Sequence, residues 1–198
     1  MDEVFLRRYK KVMEILPDVA ECLHERAILI GGTALALFYL KHRISIDLDF
    51  VAADGESKII KEELKGCLSK KGYRTIRGAY KDQFVVQFED TGIKVEFFEP
   101  DEKIKSFSYY AFGNSRLLVA SIEEILKLKM GSYAQRKEAR DLFDIFFILK
   151  KEGKEINRII KKFGPPKNME ELRILTDEKR YQEFAKVVKN ASKTSSKL

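Results

Sequence analysis

The sequence predicts an α+β protein: a small mixed sheet with flanking helices, followed by a helical C-terminal bundle. Three observations predict it. Short segments of alternating or continuous apolar residues, bounded by glycine and turn signals, recur before residue 119. Helical periodicity then dominates to about Asn190. The charge also changes at the midpoint: residues 1–100 hold 16 Lys/Arg against 17 Asp/Glu, and residues 101–198 hold 22 against 14. The expected organisation is an α/β domain with an N-terminal helix over 1–119, a helical domain over 120–190 and a flexible tail over 191–198.

The elements follow in order. Residues 2–26 read as a helix with an apolar stripe of Phe5, Leu6, Tyr9, Val12, Met13 and Leu16, kinked or interrupted near Pro17. Residues 27–30 form a short buried strand. Gly31-Gly32 turns the chain, and 33–40 is a buried helix. Residues 45–51 alternate as a strand. Residues 57–71 form a helix that Gly72 ends. Residues 73–79 suit a further strand. Strands at 83–89 and 93–99 flank Asp90-Thr91-Gly92 and read as a hairpin. One or two short strands fall within 107–119. Ser121-Ile-Glu-Glu124 is a capping-box sequence that opens a helix to about Tyr133. Gly164-Pro165-Pro166 interrupts the later helices.

Composition excludes several classes. At 44% apolar the 198 residues can bury a core. There is no run of about 18 apolar residues, so no membrane span is expected. The charged N-terminus does not resemble a signal peptide. Cys22 and Cys67 lack metal-ligand spacing and are too few for a disulfide scaffold, which suits a cytoplasmic protein. High charge with four Asn and four Gln suits a thermophile. The basic C-terminal half suits an anionic partner such as a nucleic acid or nucleotide phosphates, or else a well-solvated surface.

The chemistry begins with Asp47-Leu-Asp49. Residues two apart on a strand share a face, about 6.5–7 Å apart at the backbone. Two carboxylates on a mostly buried sheet repel each other and lose hydration, so they need a positive partner or open solvent. In Lys94-Val-Glu96, the lysine and the glutamate share a face in the same way. If that strand lies beside residues 45–51, Glu96 joins the two aspartates. Three carboxylates on neighbouring strands can hold two hard divalent cations such as Mg²⁺, with Mn²⁺ as an alternative, for in-line phosphoryl transfer. Gly31-Gly32-Thr33 precedes a helix start, where glycines let the backbone approach a phosphate and free N–H groups face it.

The segment from Gly31 to Phe50, GGTAL followed by RISIDLDF, resembles the signature of nucleotidyltransferase-fold proteins of the AbiEii/AbiGii toxin family. That pattern has a glycine turn, Asp-x-Asp, a lysine strand with an acidic residue two later, a lysine on a helix, and R-x-x-x-R-D-x-x-D. Here it reads Gly32-Thr33, Asp47 and Asp49, Lys94 and Glu96, Lys129, then Arg136, Arg140, Asp141 and Asp144. The matches run in family order over residues 31–144. Two positions depart from it: Glu96 stands where many relatives have Asp, and Ser132 where a small alanine is common.

The resemblance implies a nucleotidyltransferase, polymerase beta-like fold. It implies Asp47, Asp49 and Glu96 as catalytic metal ligands. It implies a nucleoside triphosphate held by Gly31, Gly32, Thr33, Lys94, Lys129, Arg136, Arg140, Asp141 and Asp144. Spacing places Arg136 and Arg140 on one helix face, where arginine forks suit phosphates; the alternative is a helix–helix salt-bridge network. The implied reaction moves an NMP from an NTP to a hydroxyl, with RNA such as a tRNA 3′ end as acceptor. The implied setting is a toxin with a cognate antitoxin. The competing functions are a stand-alone transferase acting on a protein or small molecule, a metal-dependent nuclease, and an inactive nucleotide-binding module.

Overall fold

A computed structural model describes residues 3–195. A helix, α1 (Glu3–Leu23), leads into strand β1 (Ala27–Ile30). A helical turn, α2 (Gly31–Ala34), continues as a π-helical segment, Leu35–Leu40. Then come β2 (Leu48–Ala52), α3 (Ser57–Lys70), β3 (Arg74–Arg77), β4 (Gln83–Gln87), β5 (Gly92–Phe98), β6 (Phe107–Phe112) and β7 (Ser115–Ala120). The rest is helical: α4 (Ile122–Arg136), α5 (Ala139–Lys151), α6 (Asn157–Phe163), α7 (Glu171–Leu175) and α8 (Glu178–Ser195). The α+β expectation therefore holds, with strands first and helices after. Among the described residues, no helix is long and apolar enough to cross a membrane.

The strands form one mixed sheet in the order β3-β4-β5-β2-β1-β7-β6. β2 is antiparallel to β1 and parallel to β5, so the Asp-x-Asp strand lies beside the Lys-x-Glu strand. One face is apolar. Leu48 and Phe50 of β2, and Ile93, Val95 and Phe97 of β5, are buried in a core that includes α1 and α3. The alternation puts Asp49, Lys94 and Glu96 on the opposite face. A second apolar cluster is built on Phe143, Phe184, Leu142 and Tyr133 within the C-terminal helices.

Several local readings are corrected. α1 runs through Pro17 without a break. Met13 and Pro17 are both exposed, so the carbonyl that the proline leaves unpaired faces solvent. The buried stripe of α1 is Val12, Ile15, Leu16 and Val19, with Met13 46% exposed. Cys22 and Cys67 form a disulfide between α1 and α3, with Cα atoms 5.8 Å apart. The second strand begins at Leu48 rather than Ser45, because the backbone before it bonds elsewhere: Ile44 N–H donates to Leu175 O at 2.7 Å. Only half of the expected capping box forms. Ser121 Oγ accepts from Glu124 N–H, while Ser121 N–H donates to Ser106 O. α8 extends to Ser195 through much of the expected tail; residues 196–198 lie outside the described residues.

Candidate active site

The polar face of the sheet and the start of the helical half enclose a cleft of about 620 Å³. That volume suits a small ligand. Its floor is built by pairing. Asp49 on β2 and Glu96 on β5 are register partners in a parallel pair, so their side chains leave the sheet together. Asp47 stands one residue before β2 and also lines the cleft. Lys94 Nζ lies 2.8 Å from Glu96 Oε2 and 3.7 Å from Asp47 Oδ2. Burial works against the Lys94 charge, yet Glu96 and the two aspartates raise its pKa.

Among the described residues, Asp49 has no such ion-pair partner, although Lys94 and Lys129 act on it from further off. Burial, and then the Asp47 charge, push its carboxyl up to about 6. That is the electrostatic cost expected of clustered carboxylates.

The glycine turn is shaped by this floor. Gly31 has φ +74°, and a Cβ there would lie 2.6 Å from Asp49 Oδ2. A Cβ on Gly32 would lie 2.2 Å from Arg43 Nη2 and 2.9 Å from Ser45 Oγ. Both glycines therefore admit polar side chains against the turn. Thr33 is fully buried and does not line the cleft. Its hydroxyl donates to Asp47 O and lies 2.9 Å from Ser45 Oγ, so it holds the aspartate backbone in place. The resemblance implies Thr33 in nucleotide binding; here its side chain is buried and its hydroxyl is engaged with Asp47 O.

The helical wall carries Lys129, Arg136, Arg140 and Asp141. Arg136 and Arg140 do not share a helix. α4 ends at Arg136, Lys137 is left-handed at φ 58°, and α5 begins at Ala139. Both arginines still line the cleft, from either side of the corner. Buried Asp141 accepts from Lys129 Nζ at 3.0 Å and from Arg136 Nη2 at 2.7 Å. Arg140 is exposed, and no acidic partner of it is seen among the described residues.

Asp144 lies behind this wall, fully buried, and does not reach the cleft. It accepts from Arg43 Nε at 2.6 Å and Nη2 at 2.8 Å, and pairs with Lys129 Nζ at 2.7 Å. Its Oδ1 is 2.7 Å from His42 Nε2. Burial alone would raise the Asp144 carboxyl, but Arg43 and Lys129 hold it well below the usual carboxylate range. Burial lowers the pKa of His42 despite Asp144, so the ring is neutral and donates through Nε2. Asp144 is thus an anchor that aims Arg43 and Lys129.

Arg43 was not legible as a site residue from its type alone. It lies in the RISIDLDF segment, but only the fold shows it reaching both Asp144 and the glycine turn. Ser45, Gln83, Tyr80 and Phe98 also line the cleft without a spacing signal.

The oxygen donors of Asp47 and Asp49 fit a hard divalent cation, and the raised Asp49 pKa marks a carboxyl that a cation would relieve. Among the described residues, no three His, Cys, Asp or Glu side chains are drawn together as a finished metal cage. Glu96 and Asp47 are instead drawn to the Lys94 ammonium, which a cation bound by all three carboxylates must displace.

Comparison with known proteins places this geometry. An uncharacterized protein of Aquifex aeolicus (strain VF5), aq_aa25, is 29% identical over 143 residues. The match covers 68% of this chain and 64% of that protein, so the chain spans less than two thirds of that relative's length. A candidate nucleotidyltransferase from H. pylori superposes with a TM-score of 0.58 at 22% identity, covering 100% of this chain and 98% of that one. An antigenic nucleotidyltransferase-like protein from Paracoccidioides brasiliensis gives a TM-score of 0.55 at 18% identity, covering 96% and 91%. These likenesses establish a nucleotidyltransferase-like fold. Residues 14–190 match the model of the nucleotidyl transferase AbiEii toxin family of type IV toxin–antitoxin systems, and the chain belongs to that family.

Proposed function

We propose that this protein is a Mg²⁺-dependent nucleotidyltransferase that moves an NMP from an NTP to a hydroxyl of RNA, such as a tRNA 3′ end. We read it as the toxin of a pair with a cognate antitoxin. One observation carries the transfer reading: three carboxylates, two on the sheet and Asp47 just before β2, line one cleft with four cationic side chains of the opposite wall.

The division of labour follows from charge. Arg136 and Arg140 suit a triphosphate, with arginine forks matching phosphate oxygens, while Lys129 and Arg43, whose fork is held by Asp144, add positive charge behind them. Buried Asp141 and Asp144 fix three of these cations before substrate arrives. Fixed positive charges aimed at the phosphates favour the transition state without reorganisation. Asp47, Asp49 and Glu96 would hold Mg²⁺, or Mn²⁺ in its place, in a two-ion arrangement. When bound, such ions would neutralise phosphate charge and lower the pKa of the attacking hydroxyl. Lys94, released from Glu96, is then free to contact a phosphate.

The acceptor oxygen forms a bond to the α-phosphorus, and the bond from that phosphorus to the α,β-bridging oxygen breaks. Pyrophosphate leaves. The hydroxyl proton, made more acidic by the ion, passes to solvent water.

The test supplies total RNA, Mg²⁺ and each NTP in turn, labelled either at the α- or the γ-phosphorus. Transfer requires α-label on RNA and γ-label in pyrophosphate. Shortened RNA without label would indicate a nuclease instead, and α-label on protein would redirect the acceptor.

A further inference from the structure

The two sides of the cleft differ in kind. The glycine turn, α4 and α5 carry the cations, so a triphosphate belongs there. The far lip lies beyond Glu96, on β5 and the β3–β4 turn, and its exposed groups are two aromatic rings and the Glu99 carboxylate. Tyr80 is 70% exposed and Phe98 40% exposed, and both line the cleft. Phe98 follows Glu96 by two residues on β5, so its ring leaves the sheet on the side of the carboxylate. Gln83, at the start of β4, is the register partner of Glu96, lines the same cleft, and is 7% exposed.

The Tyr80 turn is anchored although the ring is in water. Gln83 N–H donates to Tyr80 O at 3.2 Å, and Gly78 N–H donates to Gln83 O at 3.2 Å. Phe97 N–H donates to Asp82 O at 3.0 Å, which ties the turn to β5. The Lys61 ammonium donates to Lys81 O, which ties it to α3. Gly78 packs so closely that a Cβ there would lie 2.4 Å from Gln83 Cβ. The backbone around Tyr80 is therefore fixed while its ring stays open to the cleft.

Two exposed rings beside a buried amide suit a flat ligand with a polar edge. The rings offer stacking faces, and the amide offers both a donor and an acceptor. Nucleobases have this shape, and aromatic lips hold them with little dependence on sequence.

We propose that Tyr80 and Phe98 seat the terminal nucleobase of the acceptor strand, with Gln83 facing its edge. The proposal rests on the nucleotidyl transfer argued above. The incoming nucleotide is anchored through its phosphates on the cationic side, which leaves the lip beside Glu96 for the attacking strand. Tyr80 and Phe98 act as positioning residues: they hold the end of the strand so that its hydroxyl meets the α-phosphorus.

The test uses the full chain with Tyr80→Ala, Phe98→Ala and Tyr80→Phe. Binding of a single-stranded RNA hexamer is read by fluorescence anisotropy, and binding of inorganic tripolyphosphate by calorimetry. Each alanine variant is expected to weaken RNA binding about tenfold, with tripolyphosphate affinity and thermal midpoint unchanged. Tyr80→Phe is expected to retain RNA binding. In the transfer assay, the KM for RNA rises and the KM for NTP does not. Unchanged RNA affinity in both alanine variants overturns the proposal, as does a rise confined to the KM for NTP. The two readings fail separately. Lip-dependent RNA binding without label transfer removes the transferase reading and keeps the seat. Transfer to a sugar or protein, without RNA binding, does the reverse.

Discussion

Arg43 grips Asp144 with two parallel hydrogen bonds, Nε at 2.6 Å and Nη2 at 2.8 Å, and so joins the segment before β2 to helix α5. The same guanidinium fills the space above Gly32. One ion pair thus connects the glycine turn, the sheet and the helical half. Thr176 Oγ donates to His42 O at 2.8 Å and adds a second stitch at the same seam.

Removing the Asp144 charge leaves Arg43 without its buried partner and Lys129 with Asp141 alone. Asp144→Asn is expected to cost about 3–5 kcal/mol, the range for breaking a buried pair, read by urea denaturation at pH 7.5. Because the native pKa of Asp144 is depressed, its contribution is present above the ordinary carboxylate pKa. It is lost only as pH falls through the lower native value. The gap between wild type and variant therefore persists at pH 5 and closes only in stronger acid.

Asp49 behaves in the opposite sense. Its native pKa of about 6 lies above its unfolded value, so the ionised form is disfavoured in the fold. That penalty is full above about pH 6 and fades as pH falls toward the unfolded value. Asp49→Asn is expected to stabilise the protein by about 1–2 kcal/mol at pH 7.5, from 1.36 kcal/mol per unit reduced for partial exposure. The gain vanishes near pH 4. Transfer needs Asp49 ionised, and a bound cation would lower its pKa, so the pH below which wild-type activity falls should move down as Mg²⁺ is raised. Paired thermal melts at the two pH values and a pH–rate profile check both halves.

Gly31→Ala meets two obstacles, a positive φ and a Cβ 2.6 Å from Asp49 Oδ2. The expected cost is more than about 1 kcal/mol, with Asp49 displaced. Calorimetric titration with Mg²⁺ should show weaker binding than in wild type, while Gly66→Ala, at a helical glycine with open space around it, leaves binding unchanged.

The Cys22–Cys67 disulfide closes a 45-residue separation between α1 and α3 on the apolar side of the sheet. Cys22→Ser is expected to lower stability by about 2–4 kcal/mol, seen as a fall in melting temperature that reducing agent reproduces in wild type. Catalysis at 25 °C should be unaffected, because neither cysteine lines the cleft.

The sequence made the floor of the cleft legible because strand alternation is local. Asp49, Lys94 and Glu96 sit on the face that a period of two assigns them. The helical wall was less legible, since one left-handed residue, Lys137, puts Arg136 and Arg140 on different helices. Thr33 and Asp144 belong to the matching pattern yet act behind the cleft, a difference that depends on burial rather than spacing. Arg43 and Tyr80 owe their places to long-range contacts, with partners about a hundred residues away for the first and a hairpin turn folded against β5 for the second. The disulfide likewise needed the packing of α1 on α3, which two lone cysteines do not announce.

The most direct test of the account is transfer of α-labelled nucleotide to RNA in the presence of Mg²⁺, comparing wild type with Asp49→Asn. The account predicts labelled RNA with at least one NTP in wild type, and none above background in a variant that is folded and no less stable. Equal labelling by the two proteins would contradict it, because transfer would then not depend on the carboxylates that build the cleft.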